Sequence, residues 1–73
     1  MNKYKVLIGK HYQMLSVTET SNSIPEGKDI YYDMAKDMKI PDFVLIKADN
    51  IEEAKRIGQQ FIDRWKQEHE TRG

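Results

Sequence analysis

The sequence contains no cysteine and no long apolar run among its 73 residues. Without cysteine the chain has neither a disulfide framework nor a thiolate metal site, so its stability must come from packing or from self-association. No apolar run approaches the roughly 20 residues of a membrane span, and the N-terminal segment lacks the apolar region of a signal peptide. We therefore predict a single domain over residues 1–73, located in the cytoplasm and not bound to a membrane.

The sequence motifs of catalysis and cofactor binding are also missing. The chain has no P-loop, no dinucleotide-binding glycine pattern and no nucleophile elbow. The two histidines, His11 and His69, have no cysteine or second histidine at the spacing that zinc requires. The sequence therefore predicts a protein that is not an enzyme and has no cofactor, no metal site and no small-molecule substrate.

Charge is balanced over the whole chain but unevenly distributed along it. Twelve basic and 12 acidic side chains give a net charge of zero. Residues 1–18 contain Lys3, Lys5 and Lys10 but no acid, whereas acids outnumber bases between residues 19 and 53. A dedicated binder of nucleic-acid phosphates usually has a basic domain, so this composition favours a mixed, well-hydrated surface.

Three segments have the pattern of β-strands. Residues 3–9 alternate between two faces, which predicts a half-buried strand. Residues 12–18 are rich in β-branched and aromatic residues, and the interrupted alternation at Met14 and Leu15 is compatible with a β-bulge. Residues 42–48 are apolar on both sides at their centre, which predicts a central position in the sheet.

Residues 50–69 have the pattern of an amphipathic helix. Asp49 followed by Glu52, or Asn50 followed by Glu53, has the spacing of a capping box at the helix start. One stripe of small and apolar residues is expected to pack on the sheet: Ile51, Ala54, Gly58, Phe61, Ile62 and Trp65. Glycine is unfavourable inside a helix, so we attribute Gly58 to a close approach between the helix and the sheet.

Residues 29–39 fit two different structures. As a helix, Ile30, Met34 and Met38 share one face, and Pro41 follows the end. As a strand, alternate residues of the same segment also share a face. The helix is favoured because alanine, methionine and lysine are good helix formers. The predicted fold is thus a two-layer α+β domain, an antiparallel sheet of about three strands against a C-terminal helix, with 29–39 a short helix or, alternatively, a further strand.

These features predict a small interaction or regulatory module that binds a protein partner or associates with itself, and its composition resembles that of bacterial and phage proteins. A homodimer would cover the sheet face that one helix leaves open. The longest irregular segment, residues 20–28, is a candidate binding loop. The candidate partner-binding residues beside it are Tyr31, Tyr32, Asp33 and Asp37. The tyrosines would supply apolar anchors and the aspartates complementary charge.

The alternative function is nucleic-acid binding by the basic N-terminal hairpin. Lys3, Lys5 and Lys10 would hold phosphates, and Tyr12 would stack on a base. This function requires tyrosines that face solvent. Tyr4 shares a face with Val6 and Ile8, which predicts a core position, so protein binding is the favoured interpretation.

Overall fold

The computed structural model describes residues 2–33 and 39–70. Within these residues the chain forms, in order, β1 (Asn2–Ile8), β2 (Met14–Glu19), β3 (Ile30–Tyr31), β4 (Phe43–Ala48) and α1 (Ile51–Glu70). The strands make one antiparallel sheet in the order β2-β1-β4-β3, and α1 packs against it. The predicted two-layer α+β fold is confirmed, with four strands instead of about three.

The hairpin of β1 and β2 contains an irregularity close to its turn. Leu7 lies opposite Ser16, whereas the next residue, Ile8, lies opposite Met14, so β2 has one extra residue at this point. This confirms the predicted interruption of the alternation. β2 begins at Met14 and not at residue 12, because Tyr12 has a φ of 63° and belongs to the turn.

The core lies between the sheet and α1. Alternation along β1 and β4 directs Val6, Val44 and Ile46 toward the helix, where all three are fully buried. Ala54 and Ile62 are fully buried on the helix side. The predicted core position of the β1 residues and the central position of the 42–48 strand are both confirmed, since β4 pairs with β1 on one side and β3 on the other.

The start of α1 is fixed by a side-chain cap. Asn50 Oδ1 accepts a hydrogen bond from the Glu53 N–H at 2.8 Å, and Glu53 Oε1 accepts one from the Asp49 N–H at 2.9 Å. Of the two predicted pairings, the one between Asn50 and Glu53 is therefore the one that forms. The helix packs as predicted over most of its stripe, but Ile51 in the first turn is 39% exposed.

The segment 29–39 is partly a strand. Ile30 lies opposite Ile46, and the Lys47 N–H donates to the Asp29 carbonyl at 2.9 Å. The favoured helix is wrong here and the alternative strand is confirmed for Ile30–Tyr31, because the hydrogen-bonding edge of β4 outweighs local helix propensity. Residues 34–38 lie outside the part of the chain that the structure describes, so the helix prediction is not tested there.

Candidate functional site

The sheet face opposite α1, here called the open face, combines lysines with apolar side chains. Side chains alternate along each strand, so the residues that neighbour the core-facing ones lie on the open face, together with their cross-strand partners. These residues are Ser16 and Thr18 of β2, Lys3, Lys5 and Leu7 of β1, Tyr31 of β3, and Phe43, Leu45 and Lys47 of β4. None of these nine positions is acidic. These nine positions therefore carry three lysines although the chain as a whole is neutral, and Asp29, whose carbonyl accepts from the Lys47 N–H, adds one acid at the β3 edge.

One end of the open face is covered by the loop of residues 20–28. Leu45 is 3% exposed and Ile24 of the loop is 9% exposed, yet neither belongs to the core cluster beneath α1. Ile24, Lys3 and Lys47 line a cleft of about 460 Å³. The loop thus lies against the end of the sheet where two lysines stand side by side, since Lys3 pairs with Lys47.

The other end of the open face exposes an apolar patch. Leu7 is 38% exposed and lies opposite Phe43, which is half-buried. The Lys5 ammonium lies 4.7 Å from the centre of the Phe43 ring, a cation–π contact. One face of this ring is therefore already occupied by a charged group of the protein itself.

The four predicted partner-binding residues do not form one surface. Tyr31 lies opposite Leu45 and belongs to the open face. The Tyr32 ring instead packs with the helix, with its centroid 5.2 Å from that of Phe61 and 5.5 Å from that of Trp65. Asp33 is exposed just beyond it, and Asp37 lies outside the described residues.

The four residues of the nucleic-acid alternative are likewise divided. Lys3 and Lys5 lie on the open face. Lys10 and Tyr12 line a different cleft, which lies on the α1 side of the sheet because Lys66 of the helix forms another part of its wall. The hairpin therefore does not present these residues as a single basic surface.

This second cleft, here called the basic cleft, has a volume of about 420 Å³. Its lining residues are Lys10, His11, Tyr12, Lys39 and Lys66. The Lys66 ammonium lies 6.0 Å from the centre of the Tyr12 ring. Sequence reasoning missed the contributions of Lys39 and Lys66, because these two residues belong to segments far from the hairpin in the chain.

Hydrogen bonds fix the turn that forms one wall of the basic cleft. The Gly9 N–H donates to the Gln13 carbonyl at 2.8 Å, and the Tyr12 N–H donates to the Gly9 carbonyl at 3.2 Å. The His11 N–H donates to Gln13 Oε1 at 3.0 Å. On the opposite wall, the Trp65 indole N–H donates to the Lys39 carbonyl at 2.9 Å, which holds that backbone against α1.

Comparison with known proteins gives no significant match to a family model, a curated protein or a solved structure. Among residues 2–33 and 39–70, no three histidine, cysteine or acidic side chains are grouped so that they would hold a metal ion. In the same part of the chain, no helix has the length and apolar character needed to cross a membrane. The function must therefore be argued from the two surfaces just described.

Proposed function

We propose that this protein is a non-enzymatic interaction module whose open face binds an acidic segment of another protein. The observation that carries the proposal is the pattern of the face itself. Leu7 and Phe43 provide an apolar patch at one end of the face, with Lys5 beside it, and Lys3 and Lys47 stand together at the other end. Interfaces commonly combine a desolvated apolar centre with a charged rim that is complementary to the partner.

The cleft beside loop 20–28 gives the partner a second point of attachment. Lys3 and Lys47, which are neighbours across the β1–β4 pair, line this hollow together with Ile24 of the loop. A carboxylate entering this hollow would accept charge-assisted hydrogen bonds from both ammonium groups. Tyr31, one of the residues predicted from the sequence, extends the same face along β3.

The charge of the open face favours a different chain over a second copy of this one. A two-fold dimer interface uses the same patch on both subunits. Lys5 and its neighbours would then face the lysines of the other copy, and juxtaposed like charges disfavour association. An acidic partner removes this repulsion and gains attraction from the same residues.

The contact between Lys5 and Phe43 favours a protein over single-stranded nucleic acid on this face. Base recognition on a sheet relies on exposed aromatic rings that stack on the bases. The Lys5 ammonium occupies one side of the Phe43 ring, at 4.7 Å from its centre. An apolar side chain of a protein partner can instead pack against the edge of the Phe43 ring, and this contact does not require a free ring face.

Selection of peptides displayed on phage, with the whole protein as bait, tests the proposal. We expect enrichment of peptides in which aspartate or glutamate flanks an apolar residue. NMR titration of a selected peptide is expected to shift amide signals of β1 and β4. Lys5→Glu is expected to weaken binding about tenfold or more, whereas the exposed helix residue Lys55, changed to Glu as a matched control, leaves it within about twofold.

Two results would overturn this proposal. One is a set of selected peptides that lack acidic residues or that bind the Lys5→Glu variant as tightly as the original protein. The other is a concentration-dependent dimer, seen as a doubled molar mass in light scattering, that Lys5→Glu disrupts. The second result would assign the open face to self-association.

The proposal includes a location in the cytoplasm and a bacterial or phage origin. Both remain predictions from composition. A fusion to a fluorescent protein, expressed in a bacterial cell, would test the location by its even distribution through the cell interior.

A further inference from the structure

We infer that the basic cleft is a second binding site, independent of the open face, for the phosphate group of a small phosphorylated ligand. The cleft lies on the α1 side of the sheet, whereas the lysines of the open face lie on the other side. Three segments contribute to it: the β1–β2 turn, Lys39 before β4, and Lys66 on α1.

The described residues that line the cleft gather positive charge. Lys10, Lys39 and Lys66 line it together with His11, and no acidic residue of the described ranges 2–33 and 39–70 does. Among the described residues, an ion pair forms between Arg56 and Glu53, which lie elsewhere on α1 and not at this cleft. Gathered like charges repel one another, and a bound anion relieves that repulsion.

A purely structural role explains only one of these lysines. Cations in the last turns of a helix offset the partial negative charge of its final carbonyls, and Lys66 is near the end of α1. Lys10 and Lys39 belong to other segments, and helix stability does not require either of them at this position. Their convergence on Lys66 is therefore explained better by a shared ligand.

The walls of the cleft are fixed before any ligand arrives. The turn is held by the three hydrogen bonds of Gly9, His11 and Tyr12. Tyr12 adopts the left-handed conformation, and its ring is partly buried against the core. The Lys39 backbone is held by the Trp65 indole N–H, which donates to the Lys39 carbonyl at 2.9 Å. Backbone that is already ordered loses less conformational entropy on binding.

The size and charge of the cleft indicate a small ligand. Its volume of about 420 Å³ falls in the range of small-molecule sites, roughly 300–1,000 Å³. Phosphate oxygens accept charge-assisted hydrogen bonds from several lysines at once, and the Tyr12 ring offers a wall for an apolar or planar part of the ligand. A polynucleotide would need a longer basic track, but the chain is neutral overall.

Titration with pyrophosphate at low salt, monitored by NMR and by calorimetry, tests this inference. We expect saturable binding that shifts the amide signals of residues 10–13 and the indole N–H of Trp65. Lys39→Gln and Lys66→Gln are each expected to weaken binding about tenfold. Lys55→Gln is the matched control, because it removes the same charge from the same side of the same helix about 16 Å away.

Thermal unfolding of each variant checks that the exposed lysines are not needed for folding. The inference is overturned if pyrophosphate does not saturate, or if Lys55→Gln weakens binding as much as Lys66→Gln. It is also overturned if a short single-stranded oligonucleotide binds through these lysines while pyrophosphate does not, because the surface would then serve nucleic acid. Lys5→Glu must leave pyrophosphate binding unchanged, which separates this site from the open face.

Discussion

Replacement of Gly58 by alanine tests how closely α1 approaches the sheet. In an exposed helix interior this change stabilises a protein by about 1 kcal/mol, because glycine loses more backbone freedom on folding. Gly58 is buried, however, and a Cβ atom at this position would lie 3.1 Å from Val6 Cγ2 and 3.3 Å from Met14 Cε. Both distances are shorter than the optimum of roughly 3.5–4.0 Å between carbon atoms.

The outcome depends on which neighbour can move. The terminal methyl of Met14 can rotate away, since methionine is flexible. Val6 has no such freedom, because it is fully buried, is β-branched and lies in a strand paired on both sides. Overpacking a core typically costs about 1–3 kcal/mol. If the cost here is about 2 kcal/mol, it exceeds the gain in helix propensity, and the protein loses about 1 kcal/mol.

Urea unfolding followed by circular dichroism measures this loss, and thermal unfolding should show a midpoint lower by about 4–8 °C. Gln60 is an exposed position of the same helix, so the difference between Gln60→Ala and Gln60→Gly gives the propensity term alone. In a Val6→Ala background, Gly58→Ala should become stabilising, because both Val6 methyl groups are absent and the Met14 methyl can rotate away. The reasoning is refuted if Gly58→Ala alone stabilises the protein as much as glycine-to-alanine exchange does at position 60.

Three further substitutions test other contacts by the same unfolding measurements. Asn50→Ala removes the acceptor of the helix cap and should cost about 1 kcal/mol, whereas Asn50→Asp should cost little; equal losses would contradict the cap. Trp65→Phe deletes the hydrogen bond to the Lys39 carbonyl and should cost about 1 kcal/mol, and an unchanged midpoint would show that this bond does not contribute. Ile24→Ala should cost about 2 kcal/mol if the loop is docked on the open face, whereas Leu15→Ala, at a position 59% exposed, should cost less than about 0.5 kcal/mol.

Local pattern was sufficient to predict the elements that bury one regular face. β1 and α1 have clear periodicities, because each presents a continuous apolar row to the core, and β4 has a short run of consecutive apolar residues that is typical of a central strand. The same alternation that buries Val6 places Lys3 and Lys5 on the opposite face, so part of the open face was implicit in β1. The cap at Asn50 was predictable because it depends only on residues within one turn.

The features that sequence reasoning missed depend on contacts between distant segments. β3 consists of two residues, too few to show a period, and it forms because β4 offers a hydrogen-bonding edge. The basic cleft requires Lys10, Lys39 and Lys66 to meet, and nothing in the local sequence of any one of them indicates the other two. Tyr12 was assigned to a strand because its β propensity is high, but the turn geometry imposes a left-handed conformation there.

The strand order has a consequence for how the chain is made. β1 precedes both β2 and β4 in the chain but lies between them in the sheet, and its Val6 pairs with Val44, which follows much later in the sequence. A nascent chain that has completed only the β1–β2 hairpin therefore carries an apolar side with nothing to cover it. Such long-range pairing makes folding slow and leaves unfinished chains prone to aggregate. The chain can reach the native state only after α1 has left the ribosome. Shortened products that stop before residue 62 should therefore expose apolar surface, bind chaperones and be degraded by proteases.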